Sequence, residues 1–540
     1  MSKRLVVIGM DEPALNAAQS YLKECPDAEV TVLYPELNPL PEFICGTVER
    51  YLQNGMTFPE DLRASGVDRD SKQVLTRDVA SGAESAITYD ALIIATGSAP
   101  EDLNIPGDHL GGIVRVGSFD DAKRLRAIEG KTVIVGGGSS LLLTVSSLMR
   151  HKTGTVEVII PANSEYDAPL SDNLMGMVHH HLTTKGIVLH KDQKLVDISQ
   201  CENGIKIRTT EKEIVADRII NATPSQPITH IFSSAGLSMS RNGGLVVDSR
   251  LRTSDPHIYA CGSCATFTSP FCDIPIPGIT IRASEPRQSC TLAANLIGNP
   301  RQFTTPTGAY SIILDKFTVA GAGLTLNEAK KCGFTPMSAT VVQFDRAHFM
   351  HGVELMTLEL VFDAPTRRVL GIQGLAKSGQ ALCGRISAVS AILSRKPKIE
   401  DISNLEIAYS PPFASAMDVL NTAANVADNM LEGINEGIDA IEFKELWKER
   451  ECGEHFFIDC RELGNARPFV EKHPTHWNHI PQGQIARRLA EIPEDKKIIL
   501  ICNTGARSYE AQVVLKHAGF KSVVNVDGGM AAVRQSGIEI

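Results

Sequence analysis

An α/β fold with parallel sheets is what this 540-residue sequence predicts, on three observations. Strand and helix signals alternate through roughly the first 300 residues. The opening order of strand, turn, helix and strand recurs further along the chain. Near the far end, an apolar strand runs straight into a short glycine-containing loop at Ile498–Ser508 (IILICNTGARS).

Taken in order, Lys3–Gly9 is a β-branched run, Ala14–Leu22 a helical stretch and Glu29–Leu33 a second strand. The plan repeats as Lys131–Gly138, Leu141–Met149 and Val156–Ile160, which points to duplicated dinucleotide-binding domains. Between the two openings lies Tyr89–Pro100 (YDALIIATGSAP), and after the second comes Gly243–Gly262. Gly308–Gly433 carries longer alternating strands and helices and includes the proline-rich Tyr409–Phe413. Gly433–Ile438 (GINEGI) reads as a linker to a last domain.

Composition narrows the class. Hydrophobic residues make up 43% and charged residues 21%, an ordinary globular balance. A net charge of −10 and the lack of a long basic run argue against nucleic acid. No apolar segment reaches membrane-spanning length, and the start MSKRLVVIGM is too short in apolar residues for a signal peptide. Twelve scattered cysteines fit a reducing cytoplasm better than a disulfide framework.

Cys502 is the strongest nucleophile candidate. A cysteine between a strand and a helix start sits among backbone N–H groups, which stabilise an anionic sulfur. Arg507 adds a charge that persists at any working pH. Asn503, Thr504, Gly505, Ala506 and Ser508 complete the loop. The plainer alternative is a buried structural cysteine in an ordinary strand–loop–helix unit.

These residues resemble a rhodanese sulfurtransferase domain over 433–540. Phe457–Glu462 (FIDCRE) is similar to the LLDVRE strand of that family, and Asn525–Gly529 (NVDGG) to its closing NLxGG. His473 and Ile480-Pro481 fall where GHIPGAxNIP is expected. The resemblance implies that Cys502 takes up sulfane sulfur as a persulfide and hands it to a thiol, with the loop N–H groups and Arg507 holding the anion.

A second resemblance covers the first ~430 residues. Ala95–Gly97 (ATG), Arg252–Gly262, Ala293–Gly298 (AANLIG) and Tyr409–Asp418 (YSPPFASAMD) resemble the single-cysteine pyridine nucleotide–disulfide oxidoreductases. That group includes CoA-disulfide reductases, persulfide reductases and NADH oxidases. It implies two Rossmann-like domains, an FAD-binding one over 1–112 with 243–304 and an NAD(P)-binding one over 113–242. An α+β dimerisation domain over 305–432 would make a homodimer. Cys45 stands where the family has its redox cysteine; an inherited, idle cysteine is the alternative. Gly9, Ala95, Thr96, Gly97, Gly262 and Ser263 fall at the FAD positions, and Gly136 and Gly138 at those for NAD(P)H. CoA disulfides or persulfides are the implied substrates, with Cys502 exchanging sulfur with Cys45.

The cofactor fingerprints depart from the family. In the first glycine turn Asp11 and Ala14 replace two glycines, and Asp11 and Glu12 bring negative charge toward a pyrophosphate. Tyr34 replaces the ribose-binding acid, and Ser263 the aspartate of the A-x-G-D turn. In the second turn Leu141 replaces the third glycine, Pro161 stands in the acid position, and Pro224 replaces a further glycine. Two readings follow. The body is either an FAD-dependent reductase or a cofactor-free pseudo-reductase, serving as a scaffold or CoA platform for the last domain.

Three further features carry less. Cys261 and Cys264 form a CxxC that is either a redox pair or small residues filling a packed turn. His179–His181 reads as a solvated helix face, since adjacent helical residues splay apart, and no metal site is expected. Lys444–Arg450 reads as an exposed helix surface around Trp447.

Overall fold

The computed structural model describes residues 4–35, 55–115, 130–151, 154–162, 169–272 and 282–540. They group into two compact bodies, one drawn from 1–154, 158–166 and 190–310, the other from 155–157, 167–189 and 311–540.

The first body is built on a seven-stranded sheet. Its order is Ile258–Ala260, Ala91–Ile94, Arg4–Ile8, Glu29–Pro35, Leu62–Asp68, Gln73–Asp78, Glu84–Thr88. The first four junctions are parallel, and the last two antiparallel. Leu5–Ile8 and Leu92–Ile94 are all buried, as strands covered on both faces require. The helix predicted over Ala14–Leu22 runs Glu12–Glu24, because Asp11 takes the extended N-cap conformation and Pro13 fits the first turn. Helix Glu285–Leu296 packs on it, with Ser289 Oγ donating to Pro13 O at 3.1 Å. The second opening gives a separate sheet, in which Arg218–Ala222 pairs in parallel with both Thr132–Gly136 and Ile113–Arg115.

In the second body, Phe317–Gly323, Val369–Ala376, Leu355–Asp363 and Pro336–Phe344 form an antiparallel sheet. The last domain is a five-stranded parallel sheet in the order Gly437–Ile438, Val523–Val526, Lys497–Ile501, His455–Asp459, Trp477–His479.

Three sequence expectations change here. The predicted linker is held firmly: Gly437–Ile438 is an edge strand, and Gln512 bonds both Glu436 N and Glu436 O, at 3.2 and 2.8 Å. Lys516 Nζ reaches Gly433 O at 3.0 Å, and Asn429 Nδ2 reaches the Tyr509 hydroxyl at 3.0 Å. Trp447 is buried rather than surrounded by solvent, edge-on to Phe457 and Trp477. His181 is half-buried, stacked on Phe317 at 4.6 Å and bonded to Leu314 O at 3.1 Å. Burial lowers its pKa. No helix among the described residues is long and apolar enough to cross a membrane.

Candidate active site

Strand Lys497–Ile501 ends directly in Cys502, and the chain turns into helix Ala506–His517. Gly505 makes that turn at φ +99°, a left-handed conformation open to glycine. Its N–H points back to Cys502 Sγ at 3.2 Å. Ser508, fully buried, donates to Gly505 O at 3.1 Å and fixes the helix entry. A second turn braces the loop from outside. Met530 N–H donates to Cys502 O at 2.8 Å, and Ala531 N–H to Asn503 O at 2.9 Å. Gly529 is the contact point: a Cβ there would lie 2.4 Å from Cys502 O. Cys502 is buried, Thr504 and Arg507 are half-exposed, and Asn503 and Ala506 are exposed. The loop therefore presents one sulfur to the Gly505 N–H at a helix start, which suits an anionic sulfur species.

The neighbouring strand end carries a charged node that the sequence reading missed. Asp459 bonds Arg461 through both carboxylate oxygens and accepts from Trp477 Nε1 at 2.9 Å. His479 Nε2 meets Arg461 O at 2.8 Å. His473 instead caps helix Leu463–Lys472 and lies edge-on to Trp447. The His479-Ile480-Pro481 triplet was the sequence signal for this arrangement.

At the opposite end of the chain, Gly9 makes the first turn at φ +105°, with Ala95 O where a side chain would go. Asp11 then dominates the site. Its carboxylate lies against both Gly97 and Gly262: a Cβ at Gly97 would be 3.3 Å from Oδ1, and one at Gly262 2.1 Å from Oδ2. Ala14 is fully buried behind it. As arranged here, the first turn does not fit a diphosphate, because an internal carboxylate fills the cradle that the glycines leave open. In the second turn Leu141 is buried at the start of helix Gly138–His151.

Cys261 and Cys264 are both buried, and burial pushes both thiols up, Cys264 to about 11. The pair fills a packed turn, with Gly262 N–H bonded to Gln288 Oε1 at 2.9 Å. Ser263, beside it, is half-buried. Cys45 lies outside the described residues. Among the described residues, Cys272 and Cys332 are disulfide-bonded.

Residues 4–289, more than half the chain, match the pyridine nucleotide-disulphide oxidoreductases. The chain belongs to this family. Residues 310–420 match the dimerisation domain of pyridine nucleotide-disulphide oxidoreductases, and 442–536 a rhodanese-like domain. An NAD-dependent persulfide reductase from A. fulgidus has a solved structure that superposes with a TM-score of 0.84 at 28% identity, over 98% of this chain and 99% of its own. An NAD(P)H coenzyme A polysulfide/persulfide reductase of Pyrococcus horikoshii is 23% identical over 452 residues, 79% of this chain and 98% of the relative. An NADH oxidase of Enterococcus faecalis is 24% identical over 460 residues, 79% of this chain and 100% of the relative. This kinship favours a body of reductase type over a cofactor-free scaffold, and it supports the predicted α/β architecture with its rhodanese domain.

Proposed function

We propose that the chain is a sulfur-handling enzyme in which Cys502 carries sulfane sulfur and the reductase-type body works on the partner persulfide or CoA disulfide, with Cys45 as its redox thiol. The observation that carries this reading is the Gly505 N–H aimed at Cys502 Sγ in a loop that opens a helix. With thiosulfate as donor, the Cys502 thiolate attacks the outer sulfur, sulfite leaves, and Cys502–S–S⁻ remains. The Gly505 N–H and Arg507 hold that anion until an acceptor thiol takes the outer sulfur.

FAD and NAD(P)H are the cofactors that family membership implies. FAD would fall to Gly9, Ala95–Gly97, Gly262 and Ser263, and NAD(P)H to Gly136 and Gly138. Asp11 stands in the first of these cradles, against Gly97 and Gly262. The assigned domains are 1–112 with 243–304, 113–242, 305–432 and 433–540. A homodimer through 305–432 is supported by exposed apolar side chains on that segment: Phe349, Tyr409, Phe413 and Met417 are 69%, 54%, 72% and 56% exposed.

The test is transfer from thiosulfate to an acceptor thiol. Cys502→Ser is expected to abolish it; undiminished transfer would end the assignment. CoA as carrier is tested separately by whether it raises the thermal midpoint, as linked binding requires.

A further inference from the structure

A second thiol stands beside Cys502. Strands His455–Asp459 and Lys497–Ile501 run parallel with Asp459 opposite Ile501, so Cys460 and Cys502 are the next residues along each. The pairing continues through that step, since Cys460 N–H donates to Ile501 O at 2.8 Å. Side chains alternate across a strand. Both cysteines lie on the face that carries Ile458, Ile498 and Leu500, while Phe457, Ile499 and Ile501 line the other. Adjacent strands sit about 4.7–4.9 Å apart, within the Cα separation of roughly 4.4–6.8 Å that a disulfide spans. Each cysteine is 1% exposed, and the strand register makes Cys502 the neighbour that Cys460 meets.

Resting on the reading of Cys502 as a persulfide carrier, we propose that Cys460 is the resolving cysteine, which attacks Cys502 Sγ and expels the outer sulfur as hydrosulfide. The persulfide S–S bond breaks and a Cys460–Cys502 disulfide forms. The Cys460 thiol proton leaves on the departing sulfur: Cys502–S–S⁻ and Cys460–SH give the disulfide and HS⁻. The outer sulfur is reduced and the Cys460 sulfur is oxidised, while Cys502 Sγ stays at the disulfide level, so no outside oxidant enters. A small thiol or a dithiol reopens the disulfide by exchange. Attack needs the thiolate, and burial, then the neighbouring Cys502 and Asp459, push the Cys460 thiol well above its ordinary value against the opposing charge of Arg507 and the backbone bond at Ile501. Resolution is therefore slow at neutral pH and quickens as pH rises, which leaves time for an external acceptor to compete.

The experiment uses the full chain, reduced, freed of reductant and loaded with thiosulfate. The wild type is expected to release hydrosulfide with no added thiol and to yield linked peptides containing Cys460 and Cys502 by mass spectrometry. Cys460→Val, which keeps the apolar packing, and Cys460→Ser should both lose that release and retain the persulfide. Cys502→Ser should take up no sulfur. Unchanged release in both Cys460 variants, or sulfur uptake without the linked peptides, overturns this proposal alone. No sulfur uptake by the wild type overturns the carrier reading, and this proposal with it.

Discussion

Asp459 grips Arg461 with both carboxylate oxygens, Oδ1 to Nε at 2.8 Å and Oδ2 to Nη2 at 2.6 Å. Neither side chain is more than 1% exposed. Removing one partner of a buried pair strands the other charge, at a cost of about 3–5 kcal/mol. Asp459→Ala should therefore lower the denaturation midpoint of the rhodanese domain sharply and also release Trp477, whose fluorescence follows the change. A midpoint within experimental error of the wild type would show that Arg461 is supported from elsewhere.

Asp11 offers a test of the first cradle. Two like charges about 4 Å apart repel by roughly 4 kcal/mol at an effective dielectric of 20, enough to weaken diphosphate binding by orders of magnitude. Asp11→Gly with Ala14→Gly should raise FAD uptake, read as visible flavin absorbance after desalting. Asp11→Asn separates charge from space. If neither variant takes up more flavin, Tyr34 and Ser263 govern the loss.

Glu359 makes stability depend on pH. Burial raises its pKa to about 7, against hydrogen bonds from Ser171 and Thr340 that pull it down and the charges of Asp439 and Asp172 that push it up. Between the unfolded value of 4.5 and about 7 the folded chain holds a proton that the unfolded chain has lost. Stability thus falls as pH rises through that window, by about 3 kcal/mol at 1.36 kcal/mol per unit. Asp527, also raised by burial, adds a slope of the same sign, so Glu359→Gln should reduce but not abolish the slope in denaturation curves taken from pH 5 to about 8; an unchanged slope would assign it to other groups.

Gly529 ties the closing turn to the sulfur loop. Its φ is +55°, and a Cβ would meet Cys502 O at 2.4 Å and Thr504 N at 2.9 Å. Gly529→Ala should slow sulfur transfer more than Gly519→Ala, since Gly519 also has positive φ but open space around it. Equal rates in the two variants would show that the loop does not depend on this contact.

What the sequence made legible was local. The apolar run Leu5–Ile8 and the glycine of the Cys502 loop each declare their conformation within a few residues. Asp11 was readable as a misplaced charge, but its position against Gly262 joins segments far apart in the chain. Cys460 stood in a recognisable motif without its partner, because the pairing with the Cys502 strand is a long-range contact. Trp447 was misread for a different reason. The charges of Lys444–Arg450 mask a short helix whose Phe443 and Trp447, four residues apart, share one buried stripe.

The stitched connection ahead of the last domain bears on delivery. Gln512 clamps Glu436 and Lys516 holds Gly433, so the segment is a splint and not a swinging tether. Cys502 is in this way denied the wide excursions of an arm-mounted thiol.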